Sequence, residues 1–133
     1  MSDAPLVLPE VGSARAGFPS PAEDLQEKAI DLVEVLVNHP QSTFLIRARG
    51  NSMTEAGIHD NALLVVDRAL KAQHLDIVVA VVDGEYTIKY LHRRAGRIKL
   101  KAANPTFGEI VPKEGQTLEI WGVVTAAIIQ YRK

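Results

Sequence analysis

Two runs of β-branched and aromatic residues meet at an Asp-Gly pair, and that junction constrains the fold more than any other stretch of the chain. Ile77-Val78-Val79-Ala80-Val81-Val82 is followed by Asp83-Gly84 and then by Glu85-Tyr86-Thr87-Ile88-Lys89-Tyr90-Leu91. Such side chains fit a pleated, half-buried surface. An Asp-Gly pair between two runs of this kind is a strong hairpin signal. From Thr43 onward the pattern stays β: Phe44, Ile46 and Ala48 alternate with Leu45, Arg47 and Arg49. Residues 62–66 read as a short apolar strand, and residues 97–102 and 117–129 as further strands. The expectation is a mainly β, mainly antiparallel domain.

The N-terminal part reads differently. Residues 1–21 hold Pro5, Pro9, Gly12, Gly17, Pro19 and Pro21, and proline removes a backbone donor and resists helix. This predicts an extended arm, in which Leu6, Val7 and Leu8 could lie against a sheet; a disordered tail is the alternative. Ser20-Pro21-Ala22-Glu23 has the form of a capping box with proline at the first helical position. Leu25, Ala29, Leu32, Val33 and Leu36 follow at helical spacing. Asp31 is a second possible start, giving a short helix through Asn38, and Pro40 ends the segment either way.

Composition sets bounds on function. The 133 residues suit a single hydrophobic core, and 47% hydrophobic with 23% charged residues is ordinary for a globular chain. Fifteen basic residues against sixteen acidic ones leave a net charge of -1, so there is no overall basic excess for gripping DNA phosphates. The absence of cysteine removes disulfides, thiolate metal sites and cysteine nucleophiles. No apolar run is long enough to span a bilayer, and Leu6-Val7-Leu8 lacks the basic flank and length of a signal-peptide core. No membrane partner and a cytoplasmic location are expected.

Three short pieces carry chemistry. Ser52 lies in the turn Gly50-Asn51-Ser52-Met53, directly after a strand. A serine there can expose its hydroxyl beside backbone N–H groups able to hold an oxyanion, although Ser after Gly-Asn is also common turn chemistry. Serine needs a base. His39, His59, His74 and His92 are available, none with a local signature, and a triad assembled in space stays open. Lys89 sits among Tyr86, Ile88, Tyr90 and Leu91. If it is buried, desolvation lowers its pKa and makes it a base; if the face it shares with Thr87 meets water, it is only a surface lysine. The third piece is Ala16-Gly17, a small and flexible link within Ser13-Ala14-Arg15-Ala16-Gly17-Phe18.

Taken in order, these residues resemble the LexA/UmuD family of self-cleaving serine proteases. The match runs through Gly17-Phe18-Pro19-Ser20-Pro21-Ala22, Gly50-Asn51-Ser52-Met53 with Gly57-Ile58 and Asp60, and Leu64-Val65-Val66-Asp67. It continues through Gly84-Glu85-Tyr86-Thr87-Ile88-Lys89 and Gly122-Val123-Val124. It covers nearly everything from residue 16 onward and is weakest before residue 16 and over residues 93–99. Family members often have Cys-Gly at the cut and Asp before the serine, where this chain has Ala16 and Asn51.

The resemblance implies Ser52 as nucleophile, Lys89 as general base and Ala16-Gly17 as the scissile bond, with backbone N–H groups of Ser52 and Met53 as the oxyanion hole. It implies a β domain with one short helix after an extended connection, which favours the start at Asp31. The expected division is a cleavable arm and linker over 1–30 and a protease-like domain over 31–133. No metal or cofactor is required. The implied partners are a second copy of the chain, a RecA–single-stranded DNA filament that stimulates cleavage, and a UmuC-like Y-family polymerase in translesion synthesis. Sixteen residues before the cut are too few for a helix-turn-helix domain, so a UmuD-like arm is expected and not a repressor's DNA-binding domain. Two other readings stand beside this one. One is a dimeric binding regulator on a protease-like scaffold without catalysis. The other is a signal peptidase, which would need a membrane anchor.

Overall fold

The computed structural model of the chain describes residues 7–18 and 28–133. These fall into two compact units, Met1–Asn38 and His39–Lys133, each with its own sheet.

In the first unit, Val7–Glu10 (β1) pairs antiparallel with Lys28–Asp31 (β2), from Val7↔Asp31 to Glu10↔Lys28. Both strands are edges, so the missing N–H of Pro9 breaks no central ladder. The helix expected from Asp31 is present as Leu32–Leu36 (α1). Asp31 Oδ1 accepts from the N–H groups of Val33 at 3.0 Å and Glu34 at 3.3 Å, which supplies the acceptor that a helix start lacks. The capping-box candidate Ser20-Pro21-Ala22-Glu23 and Leu25 lie outside the described residues. Ala29, which fits the helical spacing, is in β2.

The second unit is one open six-stranded sheet built from Thr43–Arg47 (β3), Leu63–Asp67 (β4), Ile77–Val82 (β5), Glu85–Arg94 (β6), Arg97–Lys101 (β7) and Leu118–Ile128 (β8). Their order across the sheet is β3-β4-β8-β5-β6-β7, and every neighbouring pair is antiparallel. The Asp-Gly junction forms the expected tight hairpin: Val82 faces Glu85, with φ of 48° at Asp83 and 82° at Gly84. Two consecutive positive φ values belong to the type I′ turn, whose twist matches that of paired strands. A second turn of this kind, at Ala95 and Gly96, joins β6 to β7.

The β5 run is apolar throughout because both of its faces are covered. Val79 belongs to a cluster with Leu64 and Val66 and with Ala48, Met53, Ile58 and Ala62 from the β3–β4 connection. Val78 and Ala80 belong to another, with Ala72, Leu91, Leu100 and Val123. Successive strand residues face opposite sides, so a doubly covered strand loses polar alternation.

Strand β8, between β4 and β5, carries two bulges. Val65 pairs with Ala126 and Val66 with Val124, leaving Thr125 extra. Val79 pairs with Gly122 and Ala80 with Ile120, leaving Trp121 extra. Bulges bend and twist a strand, and the bend brings Gly122 hard against β4. A Cβ at Gly122 would stand 2.7 Å from Val66 Cγ1 and 3.2 Å from Arg68 Cγ. Val66 is fully buried and has no room to withdraw. Gly122→Ala is therefore expected to cost about 1–3 kcal/mol by overpacking, seen as a lower urea midpoint in Trp121 fluorescence. An unchanged midpoint would show that β4 and β8 can separate freely.

Candidate active site

The nucleophile candidate is held by the segment that leaves β3. Gly50 has φ of 92°, a conformation open to glycine, and its N–H donates to Asp60 Oδ1 at 2.8 Å. This bond closes the base of the loop. Asn104 Nδ2 donates to the Asn51 carbonyl at 2.8 Å. Met53 is 3% exposed; its carbonyl accepts from Ala56 and Ile58, and its sulfur accepts from the Ala103 N–H at 3.3 Å. Ser52 thus sits between a residue tied by its carbonyl and one anchored in the core. Among the described residues, no acceptor takes the N–H of Ser52 or Met53.

Lys89 lies on β6 and is 8% exposed. Its cross-strand neighbour is Val78 and that of Thr87 is Ala80, both fully buried. Lys89 is therefore turned into the core, with Thr87 half-buried beside it, which removes the surface-lysine reading. Lys89 Nζ donates to Thr87 Oγ1 at 2.8 Å and to the Ile88 carbonyl at 3.1 Å, and lies 3.0 Å from Ser52 Oγ. Among the described residues no carboxylate pairs with it. Burial without a counter-charge pushes its pKa below the usual lysine value.

The three contacts suit both protonation states. An ammonium donates one N–H to each partner. A neutral amine that keeps its bonds to Thr87 and Ile88 turns its lone pair toward Ser52, whose hydroxyl then donates to nitrogen. Thr87 was not singled out in the sequence; its signal was position, two residues from Lys89 on the same strand face.

The histidines are placed elsewhere. His39 Nδ1 and Asp67 Oδ2 lie 2.6 Å apart, and Asp67 is buried. The bond from His39, backed by the Ala69 N–H, holds the Asp67 pKa below the usual carboxylate value against the opposing effect of burial. His74 Nδ1 accepts from the Arg93 N–H, and its ring meets His92 edge-on. His59 is exposed. Among the described residues none bonds to Ser52. Ala16 and Gly17 lie in an exposed bend of the first unit. Among the described residues no three His, Asp or Glu side chains converge as a metal site, and no helix is long and apolar enough to cross a membrane.

A serine beside a buried lysine that no described carboxylate pairs with, on an antiparallel sheet, defines a class of hydrolase site. Comparison with known proteins gives the family. The model described as Peptidase S24-like matches residues 9–125, across both units. The chain is 46% identical over 117 residues to protein SamA of Salmonella typhimurium, covering 88% of this chain and 81% of that one. It is 43% identical over 120 residues to protein ImpA of Escherichia coli, covering 90% and 81%. It is 41% identical over 127 residues to LexA repressor 1 of Geobacter sulfurreducens, covering 92% of this chain and 61% of the repressor. The chain belongs to the peptidase S24-like family, the LexA/UmuD group of self-cleaving serine proteases.

A depressed lysine pKa also links folding to pH. Between the folded value and the unfolded one near 10.5 the unfolded chain binds more protons, so stability rises with pH across that window. Below both values the full cost of burying the ammonium applies. Lys89→Met is expected to be at least as stable as the parent at pH 7, with its advantage shrinking toward pH 10. Urea midpoints at the two pH values check this; a variant that loses stability equally at both would mean that the amine is not strained by burial.

Proposed function

We propose that the chain cuts itself between Ala16 and Gly17, with Ser52 as nucleophile and Lys89 as general base. The observation that carries this is the 3.0 Å approach of Ser52 Oγ to a buried lysine whose other partners are Thr87 and a main-chain carbonyl. Neutral Lys89 takes the Ser52 proton as Oγ attacks the Ala16 carbonyl carbon. The N–H groups of Ser52 and Met53 stabilise the oxyanion. As the C–N bond breaks, Lys89 passes its proton to the Gly17 amine. Water, deprotonated by the same amine, then releases Ser52 from its ester with Ala16.

In this reading residues 1–30 form the cleavable arm and linker, and residues 31–133 the protease-like domain. Self-cleavage must be restrained for the intact form to persist. A RecA–single-stranded DNA filament favours the state in which the arm occupies the cleft and Lys89 is neutral. The product is a trimmed, cytoplasmic homodimer that acts with a UmuC-like Y-family polymerase in error-prone synthesis past DNA damage. The cut removes Arg15, Asp3 and Glu10, leaving fourteen charges of each sign. It therefore acts by uncovering surface and not by changing net charge.

Mass spectrometry of protein incubated at alkaline pH, or with an activated RecA filament, tests the reading. The parent loses residues 1–16, while Ser52→Ala and Lys89→Ala slow this by at least about 10³-fold. The parental rate rises with pH through the depressed Lys89 pKa and levels above it. A Cβ at Gly17 meets nothing within 4 Å, so Gly17→Glu leaves the arm undisturbed and blocks cutting by crowding the cleft. A fragment from either dyad variant at the parental rate overturns the mechanism. An intact parent under both conditions leaves a binding regulator instead.

A further inference from the structure

The β6–β7 hairpin carries a row of cations that the fold does not need and the Ser52 site does not use. Alternation and register put Tyr90, His92 and Arg94 on the same face as Lys101, Lys99 and Arg97. Arg94 stands opposite Arg97, and His92 opposite Lys99. Like charges facing each other across a ladder destabilise it, so the Arg94–Arg97 pair costs stability in the free protein. Among the described residues a single carboxylate offsets it: Glu109 lies 3.3 Å from Lys99 and 3.1 Å from Lys101. Two of the fifteen basic and seven of the sixteen acidic residues precede His39, which leaves the second unit an excess of four positive charges.

The cations surround a space with an apolar part. His92, Arg94, Arg97, Lys99 and Lys101 share with Ile98 and Val111 the lining of a cavity of about 490 Å³, within the range that holds small ligands. Burial, then Lys101, His74, Lys99 and Arg94, hold the His92 pKa below its usual value, so its ring is neutral and suited to stacking.

We propose that this face binds single-stranded nucleic acid without sequence preference, with phosphates on Arg94, Arg97, Lys99 and Lys101 and a base against Val111 and the His92 ring. Same-face residues on a strand recur about every 6.6–6.8 Å, so the cations form a track for a chain of charges. A positive track beside stacking surfaces is the general design for binding single strands. An acidic peptide would satisfy the cations but offers nothing flat to the apolar wall. Nor can it simply extend the sheet, because Leu100 of β7 already exchanges two 2.9 Å hydrogen bonds with Ile110. The proposal is independent of self-cleavage.

Fluorescence anisotropy of a labelled oligo-dT strand with the full chain, carrying Ser52→Ala to keep its length fixed, tests it. Affinity should fall with salt at a log–log slope of about −2.8, four phosphates at roughly −0.7 each. Arg94→Glu with Arg97→Glu should weaken binding at least about tenfold and reduce the slope to about −1.4. Both residues are exposed at the hairpin end, and an unchanged urea midpoint certifies the fold. Glu109→Gln, by releasing Lys99 and Lys101, should tighten binding. Equal binding by the double variant would overturn the assignment. So would displacement of the strand by poly-glutamate as readily as by unlabelled oligo-dT, which marks a peptide surface. Displacement by inorganic phosphate to the same extent would reduce the site to a single-anion pocket and also overturn it.

Discussion

An amine removed from water on a β-strand is the constraint on which the rest of the second unit depends. Buried polar groups are costly without hydrogen-bond partners. The sheet gives Lys89 two of them from its own strand, Thr87 Oγ1 and the Ile88 carbonyl. The third comes from a residue 37 positions away. Its position is fixed by tertiary contacts: the Gly50–Asp60 bond, the Asn104 bond to Asn51 and the buried Met53 side chain. The burial that lowers the lysine pKa arises in turn from β5, where Val78 and Ala80 lie opposite Lys89 and Thr87.

The apolar strand β5 therefore has two consequences. It sets the topology, because a hairpin of β5 and β6 flanked by β8 and β7 builds an antiparallel sheet. It also sets the chemistry, because the strand opposite Lys89 excludes water. Proton transfer from serine to lysine is unfavourable with ordinary pKa values. In the proposed mechanism, desolvation raises the neutral fraction of the amine and so lowers that cost.

How much of this was legible in the chain varied with the range of the interaction. The Asp83-Gly84 turn was readable because two positive φ values in succession demand such residues. The Asp31 cap was readable because a carboxylate at a helix start satisfies local N–H groups. Strand β2 was obscured, since Ala29 continues a helical spacing with Leu32 and Leu36 while its pairing with Pro9 depends on a distant segment. The turn at Ala95 was obscured because alanine carries a φ of 49° there without the usual Asn or Asp signal. The approach of Lys89 to Ser52 had no local trace; only the order of motifs shared with a family suggested it. The His39–Asp67 pair, 28 residues apart, had no local trace, although Asp67 stands in a motif shared with the family.

The ladder of the first unit gives a different meaning to losing sixteen residues. Strand β1 lies wholly before the proposed bond, and among the described residues it is the only strand paired with β2. Trimming would strip β2 of that neighbour while leaving Lys28–Asp31 attached to α1. Their main-chain N–H and C=O groups would be released as an open template. Such an edge recruits another strand unless something covers it. What the protein would gain by shortening itself is an unsatisfied docking edge, made available only after the event that creates it.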